Sequence, residues 1–392
     1  MRGKKREVAI VGVGQTVHTS KREDVSEPEL VAEAVRKALD HAGLTIDDID
    51  AVVHGNMELF EGVHQPDMWH SIGFGGYLKS GIRVTTGGTT GTTIACVADN
   101  MVASGLHDIV MAVGMEKQDE GHTTTGITAM ADPLWGRALQ TGAITSATAQ
   151  MLIRKFGDRA IRAAARYRVI MNENAKLNPH AHLKLDIDEE AVMNSPPLAG
   201  ELRYLHMCPQ SCGACAVIMA AEGVAEEITD RPVWIVDHET VHREETFGNL
   251  FKPEGETTST HEIAARRLYE RNGIVDAISQ LDLFEMYDPS AWWGLDWLQR
   301  FLLLPEGKNI ELVEDGEISR YGSFPVNPSG GVVSTNPIGA SGLIRVAEAA
   351  LQIRGDAGPH QVQKDVNRAI ASGFGGTYWT VLMLLDSEKP QR

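Results

Sequence analysis

Val84 to Gly105 reads VTTGGTTGTTIACVADNMVASG. A β-branched segment runs into glycines and threonines and then opens a helix that stops at VASG. A helix N-terminus offers unpaired N–H groups and positive potential, so such a turn presents a reactive group or receives an anion. Yet Thr85 to Thr93 holds no cysteine, lysine, histidine or carboxylate. The glycines Gly87, Gly88 and Gly91 either shape a tight turn into a buried helix or let a substrate approach the backbone. The threonines can cap that helix.

The unit around this turn occurs twice. Val84 to Lys117 runs from a strand through the Gly-rich turn and a helix to a second strand, HDIVMAVGMEK; Val326 to Glu388 runs from NPSGGVVSTNPIGASG through a helix ending at Gly355 to YWTVLMLLD. Upstream of each lies a second shared element. Ser26 to Met57 predicts a helix capped by Ser26 and Glu29, the stop HAG, and a strand IDAVVHG, and His261 to Pro289 repeats that plan with RNG as its stop. Two α/β halves that each aim a helix N-terminus inward predict a five-layer α-β-α-β-α architecture of duplicated βαβαβαββ halves. The active site is expected where they meet.

Four segments follow: an N-terminal half over 1–117, an inserted lid over 118–197 with helices at Ser146–Phe156 and Arg159–Glu173, the rest of the N-terminal half over 198–237, and a C-terminal half over 238–392. Glu7 to Val13 reads as a first buried strand, and His238 to Thr260 as an exposed connector.

The 392 residues, 43% hydrophobic and 23% charged, suffice for large cores. A formal net charge of −17 argues against nonspecific nucleic-acid binding, which needs a basic face. The basic and then apolar N-terminus is too short for a membrane span and lacks a signal-cleavage pattern. Four cysteines make no disulfide framework, so the chain reads as cytoplasmic. Cys96 reads as a buried structural thiol. Cys208, Cys212 and Cys215 have the CxxxCxxC spacing that can ligate an iron–sulfur cluster, but they run into a strand that would point Cys212 and Cys215 to opposite faces; structural packing is the expectation. Trp292, Trp293 and Trp297 recur at helical spacing and read as core or partner packing.

The order VASGLHDIVMAVGMEK, CPQSCGACAVIMAAE, YDPSAWWGLDWLQ, VNPSGGVVSTNPIGASG and GFGGTYWTVLMLL resembles the thiolase superfamily, most closely its sterol-carrier-protein type and the acetyl-CoA acetyltransferase-like relatives. The resemblance implies the thiolase fold, a coenzyme A thioester as substrate with coenzyme A as its carrier moiety, no metal in this chain, a homodimer, and a zinc-ribbon/OB-fold partner that binds acyl-CoA. It places the family's nucleophilic cysteine at Gly88. The second loop falls on Tyr287 and Asp288, the third on Thr335, Asn336 and Pro337, one residue shorter than the family's, and the fourth near Gly373, Gly375 and Gly376.

Both acid/base positions and the nucleophile therefore depart from the pattern. Tyr287, Asn336 and backbone N–H groups at Gly88 and Gly376 are the expected catalytic set, an oxyanion hole without covalent machinery. His54, Thr89, His122, Asp288, Ser334 and Gly375 are the expected substrate-binding residues. The implied chemistry makes or breaks a carbon–carbon bond beside the thioester of a β-hydroxy- or β-keto-acyl-CoA, as a retro-aldol lyase or as a thiolase or acyltransferase working without the usual cysteine; in the retro-aldol cleavage Tyr287 and Asn336 supply the base and the oxyanion donor. The competing expectation is a non-catalytic subunit that scaffolds an active paralogue.

Overall fold

The computed structural model describes residues 6–57, 67–121, 141–242, 259–376 and 379–391. The strands are β1 (Val8–Gln15), β2 (Ala51–Gly55), β3 (Ser80–Arg83), β4 (Ile109–Glu116), β5 (Pro197–Ala199), β6 (Leu202–Arg203), β7 (Gly213–Ala221), β8 (Val233–His242), β9 (Leu283–Glu285), β10 (Arg368–Phe374) and β11 (Trp379–Asp386). The helices that matter here are α1 (Glu27–Ala42), α2 (Asp67–Phe74), α3 (Thr90–Ala103), α4 (Thr141–Phe156), α5 (Asp158–Leu177), α6 (Thr260–Arg271), α7 (Ala291–Phe301) and α8 (Ile338–Arg354).

Local signals place these elements. Glu29 accepts the Ser26 backbone N–H at 2.8 Å, so the capping carboxylate starts α1 as the sequence predicts. Gly43 closes α1 and Gly355 closes α8 at positive φ (68° and 76°), where a side chain would be strained. The near-continuous apolar strands are buried on both faces.

Strand order among the described residues is β3-β2-β4-β7-β1-β8-β11-β10-β9. β1 meets β8 only at Ala9–Trp234 and Ile10–Val233, so the two halves of the sheet join at one corner. Between them lies a core that takes inward side chains from both halves, such as Val53, Val217, Ala371 and Met383, together with Ile94 of α3 and Leu343 of α8. α1 covers the outer face of the first half, and α5, α6 and α7 that of the second. These are the five α-β-α-β-α layers expected from the sequence.

The first half follows βαβαβαββ. In the second, the place of the third strand holds an isolated parallel bridge, Phe284 to Val326. β8 runs through 237/238, so the expected boundary falls inside a strand, and His238 to His242 are strand rather than connector; 243–258 lie outside the described residues. Of the expected lid, α4 and α5 pack against the C-terminal half. No described helix is long and apolar enough to cross a membrane.

One close approach positions the site. A Cβ on Gly91 would lie 2.3 Å from the Leu343 amide nitrogen, and one on Gly342 2.7 Å from that of Thr92. Glycine on both helices lets α3 and α8 touch backbone to backbone. Their N-termini are thereby brought together.

Candidate active site

The threonines of the opening turn spend their hydroxyls on the turn itself. Thr89 Oγ1 donates to the Thr86 carbonyl and Thr90 Oγ1 to that of Gly87, both at 2.6 Å, and Thr90 Oγ1 accepts the Thr86 N–H at 2.9 Å. Gly87 turns at φ 62°. Gly88 is left with no side chain, facing the C-terminal half. A Cβ built there falls 2.3 Å from the Phe374 carbonyl oxygen and 3.2 Å from the Tyr287 hydroxyl. Gly88, Phe374 and Tyr287 thus converge from the turn before α3, from β10 and from the loop after β9.

Tyr287 is fixed at both ends. Its N–H donates to Ser372 Oγ at 3.0 Å, and its hydroxyl lies 3.5 Å from Asn336 Oδ1, which also accepts from Ser341 Oγ at 2.8 Å. Two hydroxyl donors on Oδ1 set the orientation of the amide, and Nδ2 then donates to Cys208 Sγ at 3.2 Å. The Asn336 backbone is held as well, its N–H by Ser211 Oγ at 3.0 Å and its carbonyl by Gln118 Nε2 at 2.7 Å.

Burial first, and then the neighbouring Cys208, push the Tyr287 phenol well above its ordinary value. Tyr287 therefore keeps its proton at neutral pH. Burial likewise pushes the Cys208 thiol up to about 12, against the opposing pull of the Asn336 hydrogen bond. Tyr287, Asn336 and Cys208 thus meet as neutral groups.

Asp288 faces away from this set. It accepts from Tyr167 Oη at 2.8 Å and from the Val332 N–H at 2.6 Å, so it ties α5 to the loop that leads to Asn336; burial raises it to about 6. Ser334 is buried one residue before Thr335, and its carbonyl accepts the Leu183 N–H at 2.9 Å. Thr89 packs against Gly375, whose Cβ would lie 3.1 Å from Thr89 Oγ1, and Gly376 turns at φ 63° just beyond. His54 stacks against Phe74, with ring centroids 4.5 Å apart, in the layer of α1. The β-strand alternation that sends Val53 to the middle layer sends His54 to the opposite face, so it does not join Tyr287 and Asn336. His122 lies outside the described residues.

The CxxxCxxC thiols go to separate places. Cys208 meets Asn336, Cys212 Sγ donates to Asp119 Oδ1 at 3.1 Å, and Cys215 enters the middle core. No group of three His, Cys, Asp or Glu that could hold a metal ion occurs among the described residues. Trp293 and Trp297 stack at 5.4 Å and both lie against Phe374, whereas Trp292 donates to His206 Nδ1 at 3.2 Å. The tryptophans are core beside the site. Sequence reading missed Cys208, since its spacing suggested a cluster; the one available signal was its place before the strand, where alternation does not constrain it.

Residues 8–181 match the N-terminal domain of thiolase, and residues 248–386 match the thiolase C-terminal domain-like family. The chain is 30% identical to an acetyl-CoA acetyltransferase of Methanothermobacter thermautotrophicus, covering 95% of this chain and 97% of that one. It is 29% identical to sterol carrier protein 2 of Bos taurus over 91% of this chain and 68% of the relative. Among solved structures, an Ltp2–ChsH2(DUF35) aldolase superposes with a TM-score of 0.80 at 22% identity, covering 99% of this chain and 100% of its own.

Proposed function

Because the chain belongs to the thiolase family, we propose that it makes or breaks the carbon–carbon bond next to the thioester of a β-hydroxy- or β-keto-acyl-CoA, without a cysteine-bound acyl intermediate. The observation that carries this reading is at Gly88, where the Phe374 carbonyl and the Tyr287 hydroxyl border the position a nucleophilic side chain would need. Acyl transfer through the enzyme requires a thiolate there. Aldol chemistry does not.

In the cleavage direction the β-hydroxyl gives its proton to a solvent water, the bond between Cα and Cβ breaks, a carbonyl product departs, and the electron pair remains as the thioester enolate. That enolate needs donors at its oxygen and a proton at Cα. Tyr287, held protonated, turns its one hydroxyl hydrogen from Asn336 Oδ1 to the enolate oxygen; backbone N–H groups at Gly88 and Gly376 complete the hole. Asn336 orients Tyr287 through Oδ1. Thr89, Ser334 and Gly375 shape the wall beside it.

A partner protein that binds acyl-CoA, of zinc-ribbon/OB-fold type, completes the proposed enzyme, in keeping with the two-component Ltp2–ChsH2(DUF35) aldolase. We assign homodimer contacts to the edge strand β3, where Ile82 is 46% exposed and Tyr77 nearby 64%.

The test offers the purified chain, alone and with the protein encoded beside it, β-hydroxyacyl-CoA and β-ketoacyl-CoA thioesters. Release of a free aldehyde or ketone with the shortened acyl-CoA supports the lyase reading. No turnover under either condition supports the scaffold subunit instead.

A further inference from the structure

We propose that the Cys208 thiol is the acid that protonates the α-carbon of the enolate, a catalytic residue brought from a segment that contains neither Gly88 nor Gly373. This rests on the lyase reading above.

Of the four cysteines, Cys96, Cys212 and Cys215 are buried and Cys208 alone is partly exposed. Its segment is held on both sides. Cys208 N–H donates to the Pro289 carbonyl at 3.0 Å, and Met207 bridges Ser290, so the thiol is pinned to the loop that carries Tyr287. Upstream, Arg168 Nε donates to the Leu205 carbonyl at 3.0 Å, and Trp292 Nε1 to His206 at 3.2 Å. A side chain fixed this firmly has lost most of the freedom that a reaction would otherwise have to remove.

The Asn336 amide spans the two groups, with the Tyr287 hydroxyl 3.5 Å from its oxygen and the Cys208 sulfur 3.2 Å from its nitrogen. An enolate whose oxygen meets Tyr287 turns its neighbouring carbon toward Cys208. The sulfur accepts a hydrogen bond from Asn336 and keeps its own hydrogen for a third group. Once that hydrogen has left, the same amide N–H stabilises the thiolate.

The step balances. The S–H bond breaks and a C–H bond forms from the enolate electron pair, which restores the thioester C=O and leaves a thiolate beside Asn336 Nδ2. The substrate β-hydroxyl gives its proton to a solvent water as the carbon–carbon bond breaks, and water returns one proton to the sulfur once the thiolate has formed. No net proton is consumed.

The experiment follows α-deuteration of an acyl-CoA lacking a β-oxygen in D2O by mass spectrometry, beside cleavage kinetics with a β-hydroxyacyl-CoA. Cys208→Ala is expected to lower both the exchange rate and kcat by about 10²- to 10⁴-fold, with KM within roughly threefold of wild type. Cys208→Ser keeps the size and the acceptor for Asn336 but is a far weaker acid. It is expected to restore the thermal midpoint without restoring exchange. Exchange recovered by serine would show a positioning role and overturn the proposal, as would wild-type rates in Cys208→Ala. A wild type that neither cleaves nor exchanges overturns the lyase reading itself; a wild type that cleaves, with variants that match it, overturns only the role of Cys208.

Discussion

The Phe374 carbonyl oxygen stands 2.3 Å from the point where a side chain on Gly88 would begin. Backbone is the least yielding of neighbours. The contact joins the turn before α3 to the end of β10, with the Tyr287 hydroxyl 3.2 Å from the same point.

Gly88→Ala should therefore destabilise the fold by about 1 to 3 kcal/mol, the usual cost of overpacking. Urea denaturation measures it. Gly88→Cys should lose similar stability and gain no acyl-transfer activity, because its Cβ meets the same carbonyl. A Gly88→Cys protein as stable as wild type would show that the turn has room to spare.

Tyr287→Phe should fold normally, since the lost hydroxyl lies at a long 3.5 Å from Asn336 and its other side-chain partner, Ser341, is also bonded to Asn336 and the Pro337 carbonyl. Its kcat for cleavage should fall by about 10²- to 10⁴-fold. Burial holds the phenol above its ordinary value, so the step that depends on it should persist as pH rises through 10 instead of titrating there. Cys96→Ala, on the far side of α3's first turns, should leave turnover within roughly threefold. Comparable activity in the two variants would remove Tyr287 from the site.

The plan of two halves was legible because periodicity and stop signals are local: Ser26 and Glu29 begin α1, and Gly43 and Gly355 end their helices, by interactions within a few residues. The approach of Gly88, Tyr287 and Asn336 was legible only through the resemblance, as they lie far apart along the chain. Three features were out of reach. The face chosen by His54 depends on strand register, the direction of Asp288 on α5 from the lid, and the arrival of Cys208 on pairing between Met207 and Ser290.

Asp288 makes a pH-dependent contribution. Its carboxyl is raised from 3.8 to about 6 in the folded protein, so the folded state binds the proton more tightly than the unfolded chain. Stability from this group is full below pH 3.8, declines as pH rises through about 6, and then levels off, a total on the order of 3 kcal/mol. Asp288→Asn removes this dependence. Wild type should gain on the variant as pH falls from 7 to 4 in paired urea melts; a constant gap would place the titration elsewhere.

Carbon–carbon chemistry on this chain is expected to run without an acyl-enzyme. Intact-protein mass spectrometry of acid-quenched samples, taken during turnover of a β-hydroxyacyl-CoA and of a β-ketoacyl-CoA, tests it directly. The expected result is release of the carbonyl product while the protein mass stays unchanged. A protein population heavier by the mass of the acyl group, located on any cysteine, would show that the reaction runs through an acyl-enzyme after all.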